Sequence, residues 1–290
     1  MSKTVLTGAK IRKSLGNVFV HIILAVLACI WVMPILWVLL TSFREEKGSY
    51  VTTFFPKGYT FDNYIKLFTD VSILNFPQMF GNTLIISIVV CIISTIFVLS
   101  VAFCMSRLRF KMRKPLMNVA MILGLFPGFM SMIAVYYILK VFGLTQGSMI
   151  RLSLMIVFSA GSGVGFYVAK GFFDTIPKSL DEAAIIDGAS RWHIFTKVTV
   201  PLSKPIIVYT VLTSFMSPWL DFIFAKVICR ADAEYYTVSI GLWKMLEKEY
   251  IDAWYTSWAA GAVLVSIPIA ILFLFTQKFY VEGMSGAVKG

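Results

Sequence analysis

The segment Asp181–Pro201, which reads DEAAIIDGASRWHIFTKVTVP, is charged and interrupted by glycine, although it lies between two long apolar stretches. Just upstream, Ser179 and Glu182 stand at capping-box spacing, so each side chain could bond the other residue's amide at a helix start. Pro177 also suits a first helical turn, so the helix could begin two residues earlier. Gly188 is placed to end the helix, because glycine adopts the left-handed conformation that other residues resist. The segment therefore predicts a short helix followed by a sharp turn.

A second short helix is predicted from Ser190 to Val200. Several of its residues recur at three- and four-residue spacing and so share one side of the helix. These residues are Trp192, Phe195, Val198 and Thr199. Pro201 and Pro205 are expected to end the helix. The result is a helix, a glycine turn and a second helix, whose apolar side either packs on this chain's own helices or docks on a partner.

The whole chain has the composition of a membrane protein. Of its 290 residues, 58% are hydrophobic and 14% are charged, against about 45–50% and about 25% in soluble domains. Charge-poor stretches long enough to cross a bilayer predict an all-α protein with six spans, near residues 17–41, 81–106, 117–139, 152–169, 205–229 and 257–277. The fourth span is short and glycine-rich. The fifth contains Asp221 and Lys226, which only a protein-lined or interfacial position tolerates cheaply.

Lysine and arginine residues predict the orientation of these spans, because they accumulate on the cytoplasmic side. Sixteen of the 26 lie in the N-terminal tail, the loop after the second span, the loop with the quoted segment, and the C-terminal tail. The net charge of +11 therefore indicates topology rather than a nucleic-acid surface. We expect a membrane domain at 17–280 between cytoplasmic tails at 1–16 and 281–290, with a cytoplasmic loop at 171–204 and an extracytoplasmic loop at 42–80. The first span is too long for a signal peptide and is expected to remain uncleaved.

The extracytoplasmic loop is the largest region predicted outside the membrane. Within it, a turn rich in proline and glycine is followed by Tyr64, Leu67 and Phe68 at helical spacing. The loop is too small to form a core of its own. A short amphipathic helix is expected here, lying at the outer membrane surface or capping the bundle.

Sequence signatures of catalysis are absent from the chain. It contains no GxxxxGK[ST] loop for phosphates, no GxSxG and no HExxH. Its four cysteines form no CxxC pair and its two histidines lie far apart, so neither a disulfide framework nor a metal site is expected. Glycines at 161, 163 and 165 lie inside a predicted span, where they favour close helix packing rather than nucleotide binding. An enzyme is not expected, which leaves a transporter, a passive channel or a membrane scaffold.

Five residues of the quoted segment stand at the spacing of a known motif, the EAA loop of ABC importer permeases. They are Glu182, Ala183, Ala184, Gly188 and Pro201. Valines at 198 and 200 conservatively replace the usual isoleucine and leucine. Further matches cover nearly the whole chain, at Asn82-Thr83-Leu84, Phe126-Pro127, Gly171-Phe172-Phe173, Ile176-Pro177 and the terminal GMSGAVKG. The chain resembles the MalG-type permeases of carbohydrate ABC importers, which are binding-protein-dependent transport inner-membrane components.

The resemblance implies the type I importer permease fold and a set of partners. These are a second, MalF-like permease, two copies of an ABC ATPase that hold ATP and Mg²⁺, and an extracytoplasmic sugar-binding protein. No cofactor is expected on this chain. The residues expected to couple to the ATPase are Glu182, Ala183, Ala184, Asp187, Gly188, Ala189 and Pro201. Whether Glu182 caps its helix or contacts the ATPase stays open.

The expected substrate is an oligosaccharide such as a malto-oligosaccharide, with another oligosaccharide or glycerol phosphate as alternatives. Trp219 and Asp221 could offer a sugar ring an aromatic plate and a carboxylate acceptor, and Asn82 is a weaker candidate for the pathway. Asp221 could instead pair with Lys226 or cap a helix break at Pro218.

The C-terminal tail has two interpretations. Its glycines predict a flexible end. The resemblance instead implies contact with the ATPase through Ser285, Gly286 and Lys289.

Overall fold

The computed structural model describes residues 2–49, 53–125, 128–161 and 165–287, with backbone alone for 2–16, 129 and 280–287. The described residues form helices and no strand, and one isolated antiparallel bridge joins Arg44 to Tyr59. The helices are α1 (Ser2–Ser42), α2 (Asp62–Thr69), α3 (Phe76–Arg107), α4 (Arg113–Gly124), α5 (Gly128–Val141), α6 (Met149–Ala160), α7 (Phe166–Thr175), α8 (Lys178–Ile186), α9 (Arg191–Leu202), α10 (Lys204–Leu220), α11 (Ile223–Cys229), α12 (Val238–Met245) and α13 (Ile251–Ala287). Residues Ile194–Thr199 of α9 are π-helical, and a 3₁₀ turn lies at Ala233–Tyr235.

Three helices in the described part of the chain are long and apolar enough to cross a membrane alone. They are Asn17–Ser42, Phe76–Arg107 and Ile251–Phe279, which coincide with the first, second and sixth predicted spans. α9 and α10 are bent by 84° relative to one another, and together they would form a fourth span. The third, fourth and fifth predicted spans are each divided between two shorter helices, namely α4 and α5, α6 and α7, and α10 and α11.

The division of the fifth span has a local cause. Asp221 has an extended backbone (φ −79°, ψ 121°) and ends α10 three residues after Pro218. In the fourth span, α6 ends at Ala160 with Gly161 at its C-cap, and Gly165 is the N-cap of α7. Residues 162–164, which include the predicted packing glycine at 163, lie outside the described residues. Phe126 and Pro127, between α4 and α5, also lie outside them.

Helix extends into both predicted tails. α1 is continuous from Ser2, and α13 continues through Gly283 and Gly286 to Ala287. The prediction of a flexible C-terminal tail is therefore wrong as far as Ala287. A glycine costs a helix only about 1 kcal/mol, and adding residues to an existing helix avoids the cost of nucleation.

The chain divides into two compact units, of which the first comprises Met1–Lys66 and Met245–Val263. Within it, the loop after α1 is organised around Arg44, whose side chain is buried. This guanidinium donates hydrogen bonds to the carbonyl oxygens of Thr53 (2.9 Å) and Phe54 (3.0 Å). The short helix predicted in the loop is confirmed as α2.

The second unit comprises Leu67–Lys244 and Leu264–Gly290. Its centre is α3, which packs on α6, α7 and α10. α3 begins where the Asn75 side chain accepts a hydrogen bond from the Gln78 amide (3.2 Å), an arrangement that satisfies one of the free amides of the first turn.

A buried apolar cluster joins the C-terminal end of α3 to α7, α9 and α10. Its members are Val98, Leu99, Ala102, Phe103, Phe166, Ala169, Phe173, Ile176, Ile194, Phe195 and Ile206. The rings of Phe103 and Phe195 lie 5.0 Å apart, centroid to centroid. The second helix of the quoted segment is therefore part of the core rather than a peripheral loop.

Candidate functional site

The first helix of the two-helix loop (residues 178–202) begins at Lys178, earlier than the capping-box prediction placed it. Pro177 occupies the N-cap position with an extended ψ of 130°, and in this described stretch no side chain caps the first turn. The prediction of a capping box between Ser179 and Glu182 is therefore wrong. Pro177 fixes the start of the helix, which moves Glu182 into the second turn, where it is exposed.

Gly188 ends this helix as predicted, with a left-handed φ of +82°. The Gly188 amide donates to the Ile185 carbonyl (3.0 Å), and the Ala189 amide donates to the Ala184 carbonyl (2.9 Å). These two bonds form a complete Schellman motif, which satisfies the last carbonyls of α8. A Cβ atom added at Gly188 would meet nothing within 4 Å, so glycine is required by the backbone conformation and not by lack of space.

The second helix of the loop is confirmed with a different internal geometry. Ser190 caps it by accepting a hydrogen bond from the His193 amide (3.2 Å), and the helix continues past Pro201 to Leu202. Of the four residues predicted to share one side, Phe195 and Thr199 are buried, Val198 is half-buried and Trp192 is exposed. The π-helical stretch changes the angular spacing of the residues, and Trp192 consequently lies outside the packed side.

The loop presents large apolar side chains to its surroundings. Ile186 is 85% exposed and Trp192 is 71% exposed. Leu180 and Ile185 are also exposed, and we call these four residues the apolar docking surface. Large apolar side chains that an ordered element leaves exposed mark sites of protein or membrane contact.

A cleft of about 830 Å³ opens beside α8. Its charged lining residues are Arg107, Arg109, Arg113, Lys178, Asp181, Glu182 and Arg191. Because these are five cations against two carboxylates, the cleft is electropositive and suits an acidic group of a partner.

A carboxylate near the end of α7 ties that helix to α3. Asp174 accepts hydrogen bonds from Ser106 Oγ (2.6 Å) and Lys170 Nζ (2.5 Å). Partial burial raises the pKa of the Asp174 carboxyl, but the bonds from the lysine and the serine outweigh burial, and the pKa lies below its ordinary value. The group is therefore ionised at neutral pH.

Two of the three side chains predicted in the sugar pathway, Asn82 and Trp219, are buried. Asn82 is buried and donates to the carbonyl oxygens of Glu234 (2.8 Å) and Tyr236 (3.2 Å). Trp219 is 3% exposed and its ring lies 5.3 Å from that of Phe80, edge to face. The structure thus packs both side chains into the protein interior.

Asp221 borders a cavity and also caps a helix. It lines a cavity of about 410 Å³, and its Oδ1 accepts a hydrogen bond from the Ala225 amide (2.9 Å) at the start of α11. Of its two alternative roles, the helix break is the one found, because Lys226 lies over the Tyr236 ring, 4.8 Å from the centroid.

Hydroxyl groups of α10 line the same cavity and were not predicted. They belong to Tyr209, Thr210, Thr213, Ser214 and Ser217. The signal was present in the sequence, since 210 and 214, and 213 and 217, are each four residues apart and share a face of a helix. Val157 and Phe158 of α6 contribute an apolar wall, so the cavity combines hydroxyl and apolar surface.

Comparison with known families identifies the class of protein. Residues 98–285 match the model of the family described as "Binding-protein-dependent transport system inner membrane component". The chain belongs to this family. With its long apolar helices it is a multi-pass membrane protein, and the resemblance inferred from the EAA spacing is confirmed at family level.

Relatives in this family match over almost their entire length. The chain is 34% identical over 287 residues to the galactooligosaccharides transport system permease protein GanQ of Bacillus subtilis, covering 98% of this chain and 100% of that protein. It is 29% identical to the maltodextrin permease MdxG of Bacillus subtilis, with 97% and 99% covered. It is 30% identical to the maltose/maltodextrin permease MalG of Vibrio vulnificus, with 93% and 95% covered.

A solved transporter has the same fold. The match is to a crystal structure of a bacterial ABC transporter involved in the import of the acidic polysaccharide alginate, with a TM-score of 0.74. It covers 93% of this chain and 98% of that chain at 23% identity. This similarity therefore supports the fold of the family member and not its substrate.

The three tail residues predicted to contact the ATPase lie at or beyond the end of α13. Ser285 and Gly286 lie in the last turn of α13, where the backbone alone is described. Lys289 lies outside the described residues.

Proposed function

We propose that this chain is the transmembrane permease subunit of an ATP-driven ABC importer. In this proposal it forms half of the pathway for an oligosaccharide that an extracytoplasmic binding protein delivers. The observation that carries the proposal is the two-helix loop, which presents an apolar docking surface and the exposed Glu182 on a member of this transport family.

The membrane arrangement proposed is the type I fold with six spans. α4 with α5, α6 with the part of α7 before residue 171, and α10 with α11 each form one interrupted span between the three continuous ones. The basic residues that flank these helices support cytoplasmic positions for both ends of the chain and for the two-helix loop. A MalF-like second permease completes the pathway in the cell membrane.

The two-helix loop docks on an ABC ATPase, of which the complex holds two copies. Ile186 and Trp192 act as apolar anchors, and tryptophan is among the residue types that contribute most to interfaces. Ala183 and Ala184 allow close approach of the partner backbone. Glu182 contacts the ATPase rather than capping α8, because its position in the second turn leaves the carboxylate exposed. The electropositive cleft offers a second, charged contact.

ATP and Mg²⁺ remain on the ATPase, and this chain converts ATPase movement into a change of the pathway. The loop is joined to α7 through Ile176 and Pro177 and to α10 through the 84° bend. A pull on the loop therefore tilts two membrane helices together. Such a rigid-body transition requires two packed states that ATP and substrate favour differently.

The substrate class follows from the relatives and from the cavity beside α10. The relatives' names specify galactooligosaccharide and maltodextrin transport, and an oligosaccharide is the class they share. Hydroxyl groups on one wall and apolar side chains on another suit a sugar's hydroxyls and its apolar ring face. Malto-oligosaccharides and galacto-oligosaccharides are both candidates, and glycerol phosphate is the alternative outside this class.

The docking proposal is tested by Ile186→Asp and Trp192→Asp in the assembled complex. A charge at an interface anchor costs about 2 kcal/mol or more, which is roughly 30-fold in affinity. We expect the ATPase to be lost from the purified complex and sugar uptake to fall accordingly. The matched control is Val141→Asp on α5, because Val141 is 84% exposed, close to the exposure of Ile186. Retention of the ATPase by both loop variants would overturn the docking proposal.

The substrate class is tested separately with the wild-type complex in proteoliposomes. Each candidate is supplied with the binding protein, and stimulation of ATP hydrolysis is measured for malto-oligosaccharides, galacto-oligosaccharides and glycerol phosphate. We expect stimulation by an oligosaccharide. Stimulation by glycerol phosphate alone would refute this assignment while leaving the docking proposal intact.

A further inference from the structure

A single buried guanidinium lies where α3, α7 and α8 meet. Arg107 is the last residue of α3, and its side chain is 2% exposed. Its Nη2 donates hydrogen bonds to the carbonyl oxygens of Phe173 (2.8 Å) and Ile176 (3.0 Å) at the end of α7. A helix end leaves such carbonyls without intrahelical partners, and a cation is favoured there.

The same guanidinium reaches the first helix of the two-helix loop. Nη1 of Arg107 lies 3.4 Å from Oδ2 of Asp181, whose side chain is 11% exposed. Asp181 lies in the first turn of α8, where a carboxylate is favoured by the helix dipole. One side chain of α3 therefore contacts the end of α7 and the start of α8.

The covalent path from the loop to the membrane helices does not include α3. The loop is connected in sequence to α7 on one side and to α10 on the other, whereas Arg107 belongs to a helix about 70 residues earlier in the chain. Both side chains line the cleft beside α8 but are only 2% and 11% exposed. Separating the pair would therefore leave two poorly solvated charges without their partner, which is unfavourable. This cost favours joint movement of the three helices over separation of Arg107 from Asp181.

We propose that Arg107 is a positioning residue that transmits displacement of α8 to α3, so that the central helix of the second unit moves with the loop. The inference rests on the proposed docking of the loop on an ATPase. It adds α3 to the two membrane helices that are joined to the loop covalently. In this proposal the Asp181 carboxylate is the group of α8 that pairs with Arg107. Packing of Phe103 of α3 on Phe195 of α9 supports the same joint movement from the apolar side.

The experiment compares Asp181→Asn with a matched control in the reconstituted complex. Asp181→Asn removes the charge of the link and keeps the two carbonyl bonds of Arg107. Ser106→Ala is the control, because Ser106 donates its side-chain hydrogen bond to Asp174 (2.6 Å) and so joins α3 to α7 rather than to α8. The readout is sugar transported per ATP hydrolysed, together with the amount of ATPase bound. A defect of folding alone lowers the amount of active complex and leaves this ratio unchanged.

We expect Asp181→Asn to lower the sugar transported per ATP hydrolysed about tenfold in complexes that hold equal amounts of ATPase, within the range typical of allosteric coupling. Ser106→Ala is expected to stay within twofold of wild type, and Asp181→Glu, which keeps a carboxylate, to recover most of the ratio. An unchanged ratio in Asp181→Asn would overturn the inference. If that variant fails to assemble, Arg107→Lys, which keeps the cation but loses the fork of donors, is measured in the same way, and an unchanged ratio there would overturn it equally.

Failure of the docking proposal is distinguishable from failure of this inference. The docking proposal is tested by Ile186→Asp, for which the measured quantity is the amount of ATPase retained in the complex. The Arg107 link is read from the transport ratio at constant bound ATPase.

Discussion

Replacing Gly188 by alanine is the most discriminating perturbation of the two-helix loop, because its effect is confined to the backbone. Gly188 has φ +82°, and an added Cβ would meet nothing within 4 Å. No steric clash therefore contributes, and the cost is that of the left-handed conformation for an L-residue, about 1–2 kcal/mol. This corresponds to about a 5- to 30-fold shift between the Schellman turn and competing conformations of the loop.

The measured quantity is the affinity of the purified permease pair for the ATPase. A partner that binds one conformation of the loop loses affinity in proportion to the population of that conformation, so Gly188→Ala should weaken binding by up to about 5- to 30-fold. Gly188→Asn should cost less, since asparagine tolerates the left-handed region.

Gly171 supplies the matched control for this substitution. It also has open space for a Cβ and lies inside α7 without a positive φ. Gly171→Ala should leave the affinity unchanged or slightly improve it, because alanine is the better helix former. An affinity of Gly188→Ala within twofold of wild type would refute the argument that the turn orders the docking surface.

Three further predictions follow from other contacts. Thr213→Ala combined with Ser217→Ala should raise the KM for oligosaccharide several-fold with little change in basal ATP hydrolysis, since both hydroxyls line the cavity beside α10; an unchanged KM would remove that cavity from the pathway. Asp174 has a lowered pKa in the folded chain, so its stabilising effect should be complete above the ordinary aspartate pKa and be lost as pH falls through the lowered value. A thermal-stability profile of Asp174→Asn in acid that parallels wild type would contradict this. Asn82→Ala should lower Tm, because two carbonyls lose their donor, while uptake per folded complex stays near wild type; a selective loss of uptake would return Asn82 to the pathway.

Local chemistry explains which features could be predicted from sequence. The Gly188 turn was predictable because very few residue types adopt its conformation. The long helices were predictable because an apolar run of membrane length is sufficient to indicate a spanning helix. The prediction of a capping box at Ser179 and Glu182 was wrong because Pro177 takes the N-cap position instead. The helix therefore begins at Lys178, one residue after the proline. A motif of polar residues cannot by itself show which of two neighbouring starts prevails.

Burial is the property that sequence could not supply for the pathway candidates. Tryptophan and asparagine bind sugars in some proteins and fill the interior in others. Here Trp219 packs on Phe80, and Asn82 donates hydrogen bonds to backbone carbonyls. The hydroxyl groups at 210, 213, 214 and 217 were inconspicuous because serine and threonine are common in membrane helices. Their importance depends on which face of α10 borders a cavity, and this is decided by packing between segments far apart in sequence.

The π-helical stretch Ile194–Thr199 has a consequence for how such a chain can change its partner. A π-helical turn accommodates one residue more than an α-helical turn. Deleting one residue there would restore α-helical spacing and rotate everything on its N-terminal side, Trp192 included, by about 100° relative to α10. An insertion or deletion of one codon could therefore re-aim the loop at a differently shaped ATPase without substituting any residue of its apolar docking surface.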